Sequence, residues 1–149
     1  MIWPGVLSVV VIAAAAAAWM RHGLMVITVD GSSMSPTYES GDRVLIRRGR
    51  RGLRRGAVIV VAGPDVTTGW RRHPPLRGRG TGGGWYIKRL AALGGDPFPP
   101  RMHQTGVVPD GTVVILGDNA RSLDSRLHGP CPRHQVLGVV VRRLGARVA

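Results

Sequence analysis

WYIKRLAAL, residues 85–93, decides the fold class of this 149-residue chain. It reads as a strand, and alternation along a strand sets Tyr86, Lys88 and Leu90 on one face and Ile87 and Arg89 on the other. Five more runs share its character, each bounded by turn residues: LMVITVD (24–30), DRVLIRR (42–48), AVIVVAG (57–63), TVVILGD (112–118) and VLGVVVRRL (136–144). No stretch after residue 22 has convincing helical periodicity. With 22 Gly, 11 Pro and few aromatics, the pattern predicts a mostly β, turn-rich domain rather than a helical bundle. The length suits one core.

Lys88 is set apart by composition as well. The formal charge of +13 comes from 21 basic residues, of which 20 are Arg and one is Lys88. Arginine stays protonated and cannot act as a base, so Lys88 is the only side-chain amine available for chemistry. The alternative is a compositional drift from Lys to Arg that spared this position by chance. A basic surface is also the footprint of phosphate binding. Here, however, the charge concentrates in RRGRRGLRR (47–55) and RRHPPLRGRGTGGG (71–84), which fall between strands and read as solvated loops. Their functional reading is attraction to anionic lipid headgroups or envelope polyanions, at about 1 kcal/mol per residue near such a surface. Nucleic acid is not an expected partner.

Metal and disulfide chemistry find no support. Cys131 is the single cysteine, lying between two prolines in HGPCPRH, and the five His residues lack a metal-ligand spacing such as HExxH. Neither a metal nor a cofactor is expected.

Before the strands, residues 2–20 (IWPGVLSVVVIAAAAAAWM) carry no charge. As a helix they would span ~28 Å, near the thickness of a bilayer's hydrocarbon core. Trp3 and Trp19 lie near the two ends, where interfacial aromatics belong. Residues 1–22 are therefore expected to form a membrane anchor, and residues 23–149 the working domain. A cleaved signal peptide and a buried Ala-rich helix are the competing readings, the former lacking the usual positive start. Arg21, following the span, favours holding the rest of the chain in the cytoplasm, a bias that is weak for long translocated domains.

The remaining chemistry-bearing stretch is GSSMSPT (31–37), with three hydroxyls at Ser32, Ser33 and Ser35 and no His nearby. It is not the GxSxG elbow of hydrolases that use a Ser-His-Asp triad. A neutral lysine can take a serine's proton instead, if burial or a neighbouring cation depresses its pKa.

Three separated stretches, GSSMSPT (31–37), YIKRLAALGGD (86–96) and GDNARSLDSR (117–126), resemble in order and rough spacing the boxes of type I signal peptidases, the membrane-bound Ser/Lys endopeptidases of the S26 family. The resemblance implies an antiparallel β catalytic domain behind one N-terminal transmembrane helix. It implies Ser33 as nucleophile, within a Ser-Met-x-Pro-Thr motif that includes Met34 and Pro36, and Lys88 as general base. It further implies Ser122 as the hydrogen-bond partner of the lysine amine, and Asp124 and Arg126 as a structural ion pair. Gly117, Asp118 and Asn119 make the turn before them. The third box is one residue shorter than in many members; the assignment holds if the gap falls before Ser122.

The Ser33 backbone N–H is the candidate oxyanion donor. Gly31 stands where some members carry a second, hydroxyl donor. Expected partners are membrane lipid and precursor polypeptides with small residues before the cleavage site, with the domain on the extracytoplasmic side of the cytoplasmic membrane. Removal of signal or leader peptides from exported precursors is the implied function. The alternatives are a maturation protease dedicated to one precursor and a catalytically silent, membrane-tethered basic binding module. Self-cleaving repressors use a related Ser/Lys site but carry a DNA-binding domain where this chain has its apolar run.

Overall fold

The computed structural model describes residues 4–65, 69, 70 and 84–146. Helix α1 (Pro4–Gly23) leads into strand β1 (Leu24–Thr28). There follow β2 (Asp42–Arg48), β3 (Val58–Ala62), β4 (Trp85–Leu93), β5 (Thr112–Leu116), the one-turn helix α2 (Ser125–His128), the short β6 (Cys131–Pro132) and β7 (Val136–Ala146). All six runs read as strands in the sequence are strands, and every pairing between neighbours is antiparallel.

One seven-stranded sheet results, in the order β1-β2-β7-β3-β4-β5-β6. The strand nearest the C-terminus thus fills the slot between β2 and β3. Both faces of the sheet are covered at its centre, at β3. Ile59, Val61, Leu90, Val113, Ile115, Cys131, Val136 and Val139 pack on one side, with Tyr86 against them. Val29, Met34, Val44, Ile46, Val58, Val60 and Ile87 pack together in a second cluster, and Ala92, Met102, Val108, Val114 and Leu116 in a third. β3, buried along its whole length, is the kind of continuous apolar run that a central strand requires. Its register sets Ile59 beside Lys88 and Val60 beside Ile87. The alternation expected along β4 is therefore the observed one: Tyr86 and Leu90 join the first cluster, Ile87 the second.

The apolar N-terminal run is helical, as Ala13–Ala18 favours by propensity. Its Val9, Val10, Val11 and Ile12 are exposed. Among the described residues, no helix is long and apolar enough to cross a membrane. The poly-Ala half adds helix-forming power but little apolar surface.

The two Arg-rich segments fare differently. Arg47 and Arg48 belong to β2, and the turn after them is exposed apart from Leu53, which packs partly buried against the first cluster; the exposed Arg55 pairs with Asp96 through Nε and a second guanidinium nitrogen. Of the second segment, residues 71–83 lie outside the described residues.

Candidate active site

Residues 29–41 connect β1 to β2, and the ends of this connection are closed by backbone bonds from Val29 N–H to Asp42 O (2.7 Å) and from Gly41 N–H to Val29 O (2.9 Å). Inside it the chain turns tightly, Ser35 N–H donating to Ser32 O at 3.1 Å and Tyr38 N–H to Met34 O at 2.9 Å. Met34 is the anchor of the turn, fully buried in the second core cluster. Pro36 lies exposed after a cis peptide bond.

The turn separates the three serines. Ser32 is exposed, and Ser35 spends its hydroxyl on Glu39 Oε1 at 2.9 Å. Ser33 is half-buried, and neither its hydroxyl nor its backbone N–H donates to any group among the described residues. A free hydroxyl and a free N–H on one residue are what a nucleophile with its own oxyanion donor needs.

Lys88 projects from the middle of β4 and is 3% exposed. Its Nζ donates to Ser122 Oγ at 2.9 Å and lies 4.9 Å from the centre of the Tyr86 ring. Burial, partly opposed by the nearby Asp124 carboxylate and reinforced by the Arg126 guanidinium, brings its pKa down to about 8. At pH 7 such an amine is neutral roughly 300 times more often than an ordinary lysine. No hydrogen bond joins Ser33 Oγ to Lys88 among the described residues; the amine is bonded instead to Ser122 Oγ.

The loop after β5 supplies the rest. Asp124, fully buried, accepts the Gly117 N–H at 2.8 Å and caps α2 through the Arg126 N–H at 3.0 Å. Arg126 grips the same carboxylate with Nε at 2.9 Å and a terminal nitrogen at 2.7 Å. Burial alone would raise the Asp124 pKa, but these charged and backbone donors outweigh it and hold the carboxyl below its ordinary value. Such a fork can keep a buried charge satisfied. Ser125, the next residue, is buried too and accepts the Ile115 N–H at 3.0 Å.

Gly117 explains how closely the two loops meet. A Cβ there would lie 2.5 Å from the Ser33 carbonyl oxygen and closer still to Ser122 Oγ. The backbone of Ser33 and the hydroxyl that holds Lys88 therefore flank a single glycine.

Several residues of this arrangement carried no functional reading in the sequence. Asn119 donates its backbone N–H to Ser33 O (3.1 Å) and its side-chain Nδ2 to Ser32 O (3.1 Å). Asp118 accepts Thr37 Oγ1 at 2.5 Å and both Arg89 Nε (2.8 Å) and a terminal Arg89 nitrogen (2.6 Å). The Arg89 guanidinium, aided by Thr37, holds the Asp118 carboxyl below its usual range. Their signal was adjacency: each neighbours a motif residue. Thus the three stretches quoted from the sequence are stitched together by polar bonds around Ser33, Ser122 and Lys88. Cys131 lies apart in the first core cluster, its thiol pushed up to about 12 by burial.

Comparison with known proteins adds an independent line. The family model for signal peptidase, peptidase S26, matches residues 3–98 and 97–144. The chain belongs to the S26 signal peptidase family. It is 31% identical over 127 residues to mitochondrial inner membrane protease subunit 1 of Schizosaccharomyces pombe, a match covering 79% of this chain and 69% of that protein. To probable signal peptidase I-2 of Synechocystis sp. it is 29% identical over 136 residues, covering 74% of this chain and 58% of the relative. At the level of the S26 family the protein is a serine peptidase of the signal-peptidase type. The sheet described above agrees with the mostly β, antiparallel domain expected of it.

Proposed function

We propose that the protein is a serine endopeptidase that uses Ser33 and Lys88 as a dyad to cut signal or leader peptides from exported precursors. The observation that carries the reading is the buried Lys88 amine, depressed to about 8 and bonded to Ser122 Oγ beside the Ser33 backbone. A neutral amine donates one N–H to Ser122 and so aims its lone pair. Ser33 Oγ attacks the scissile carbonyl carbon while its proton passes to Lys88 Nζ. Collapse of the tetrahedral intermediate breaks the C–N bond, and the Lys88 ammonium protonates the leaving amine. Water then attacks the acyl ester and gives a proton to Lys88, which passes it to Ser33 Oγ as the ester C–O bond breaks, restoring the serine hydroxyl and the neutral amine.

Substrates add as an extended strand with small side chains before the cut. Helix α1 tethers residues 23–149 to a membrane, on the extracytoplasmic side of the cytoplasmic membrane. Support comes from its exposed Val9–Ile12 and from a relative named for the mitochondrial inner membrane. Release of the full chain from membranes by alkaline carbonate would remove this part of the reading.

Substitution tests the dyad. Ser33→Ala and Lys88→Ala each abolish cleavage of a secretory precursor, while Ser32→Ala and Ser35→Ala keep most of it. In the wild type, kcat/KM rises about tenfold per pH unit up to about pH 8 and then levels as Lys88 becomes neutral. Full activity in Ser33→Ala, or a flat profile, refutes the dyad. The two relatives carry different names, a signal peptidase and an inner-membrane protease subunit, which keeps a dedicated maturation protease as the second reading. Precursor N-termini compared with and without Ser33 separate the two: many change for a general peptidase, one for a dedicated enzyme.

A further inference from the structure

In a trans peptide unit the C=O and the following N–H point in opposite directions. Whatever holds the Ser32 carbonyl therefore also aims the Ser33 N–H, since the Ser32–Ser33 bond is trans. That carbonyl accepts two bonds of 3.1 Å, a local one from the Ser35 N–H and a distant one from Asn119 Nδ2. The Asn119 backbone N–H takes the next carbonyl, Ser33 O, also at 3.1 Å. One residue of the loop after β5 thus holds two successive carbonyls of the turn, and the Ser33 N–H is directed away from it. The amide cannot be reversed. Its Oδ1 accepts the Arg121 N–H at 3.0 Å, which leaves the NH2 to face Ser32.

We propose that Asn119 is the positioning residue of the oxyanion hole. By holding the Ser32 carbonyl, its side-chain amide keeps the Ser33 N–H aimed at the oxygen of the scissile carbonyl as that oxygen gains charge. The proposal rests on the reading of Ser33 as nucleophile. Gly31 offers no side-chain hydroxyl here, so the backbone donor carries a correspondingly larger share of the stabilisation. Removal of an oxyanion donor outright costs ~100- to 1000-fold in kcat; a donor that is present but loosely aimed costs less.

Two variants test it in the full chain in detergent micelles, with active enzyme counted by titration. Asn119→Asp keeps the acceptor for the Arg121 N–H and the size of the side chain but sets an acceptor against Ser32 O. Asn119→Ala removes the amide without adding charge. Rates are taken on the alkaline plateau, where Lys88 is neutral in every variant. The expected result is a loss of kcat of about tenfold or more in both, with KM within about twofold. A peptide boronate that mimics the tetrahedral intermediate should weaken by the same factor as kcat. Binding of an uncleaved peptide, measured in the Ser33→Ala background, should not change. With Ser33→Ala inactive, plateau kcat within about twofold of wild type in both variants overturns the proposal alone, as does equal weakening of boronate and uncleaved peptide. Cleavage by Ser33→Ala overturns the underlying reading and this proposal with it.

Discussion

Lys88→Met should make the protein more stable at neutral pH while destroying its proposed activity. The lysine is 3% exposed, and its pKa falls from an ordinary 10.5 to about 8. At ~1.4 kcal/mol per pH unit, that difference is worth about 3 kcal/mol. The sign follows from where the proton sits. Below about pH 8 the amine is charged in both folded and unfolded chains, and burial of the charge destabilises the fold by the full amount. Between 8 and 10.5 only the unfolded chain holds the proton, so stability rises with pH, and above 10.5 the penalty is gone.

Methionine removes the penalty with a side chain of similar length. It also loses the bond to Ser122 Oγ, which offsets about 1 kcal/mol. The variant should therefore be more stable than wild type by about 2 kcal/mol at pH 7, and the difference should cross zero before pH 10.5. Urea unfolding of both chains in parallel, at several pH values, measures it. The comparison cancels Cys131, whose buried thiol lowers stability in both chains once the unfolded thiol ionises. A variant no more stable than wild type at pH 7, or a gap that stays constant from pH 7 to 10.5, refutes a lysine held near neutrality by burial.

Two further outcomes follow from the packing. Gly117→Ala drives a methyl group into Ser122 Oγ and the Ser33 carbonyl; the overpacking should cost about 1–3 kcal/mol of stability and most of the peptidase activity, read by thermal unfolding and kcat, and wild-type kcat would contradict the close approach. Cys131, fully buried with its thiol pushed up to about 12, should resist a thiol reagent at pH 8 and label only as fast as the chain unfolds. Rapid labelling under native conditions would place it nearer the surface than the fold does.

The strands were legible because their signal is local. Alternating or continuous apolar runs between turn residues mark β1 to β5 and β7 within a few residues, and the faces of β4 follow from alternation alone. Sheet order was not legible: nothing in VLGVVVRRL says that it lies between β2 and β3, a choice made by partners about 80 to 100 residues away. β6 escaped because two residues have no period, and α2 because a single turn depends on its Asp124 cap rather than on a pattern. Lys88 stood out by being the only lysine, and its burial was foreshadowed by the apolar residues around it. Asn119, Thr37 and Arg89 did not stand out. Their parts depend on which backbone carbonyl or carboxylate happens to lie opposite, and that is fixed only when the loops meet.

The place of β7 has a consequence for how the two halves of the site are held together. Among the described residues, Val136–Ala146 is the only strand that bonds to both β2 and β3. Without it, the hairpin carrying Ser33 and the strands carrying Lys88 share no sheet hydrogen bonds among the described residues, and only core packing and the loop bonds at Ser32, Ser33 and Thr37 join them. Each half of the proposed dyad lies on its own set of strands, and β7 is what makes the two sets one sheet. The closing strand thus acts as the clasp of the proposed active site while carrying none of that site's own residues.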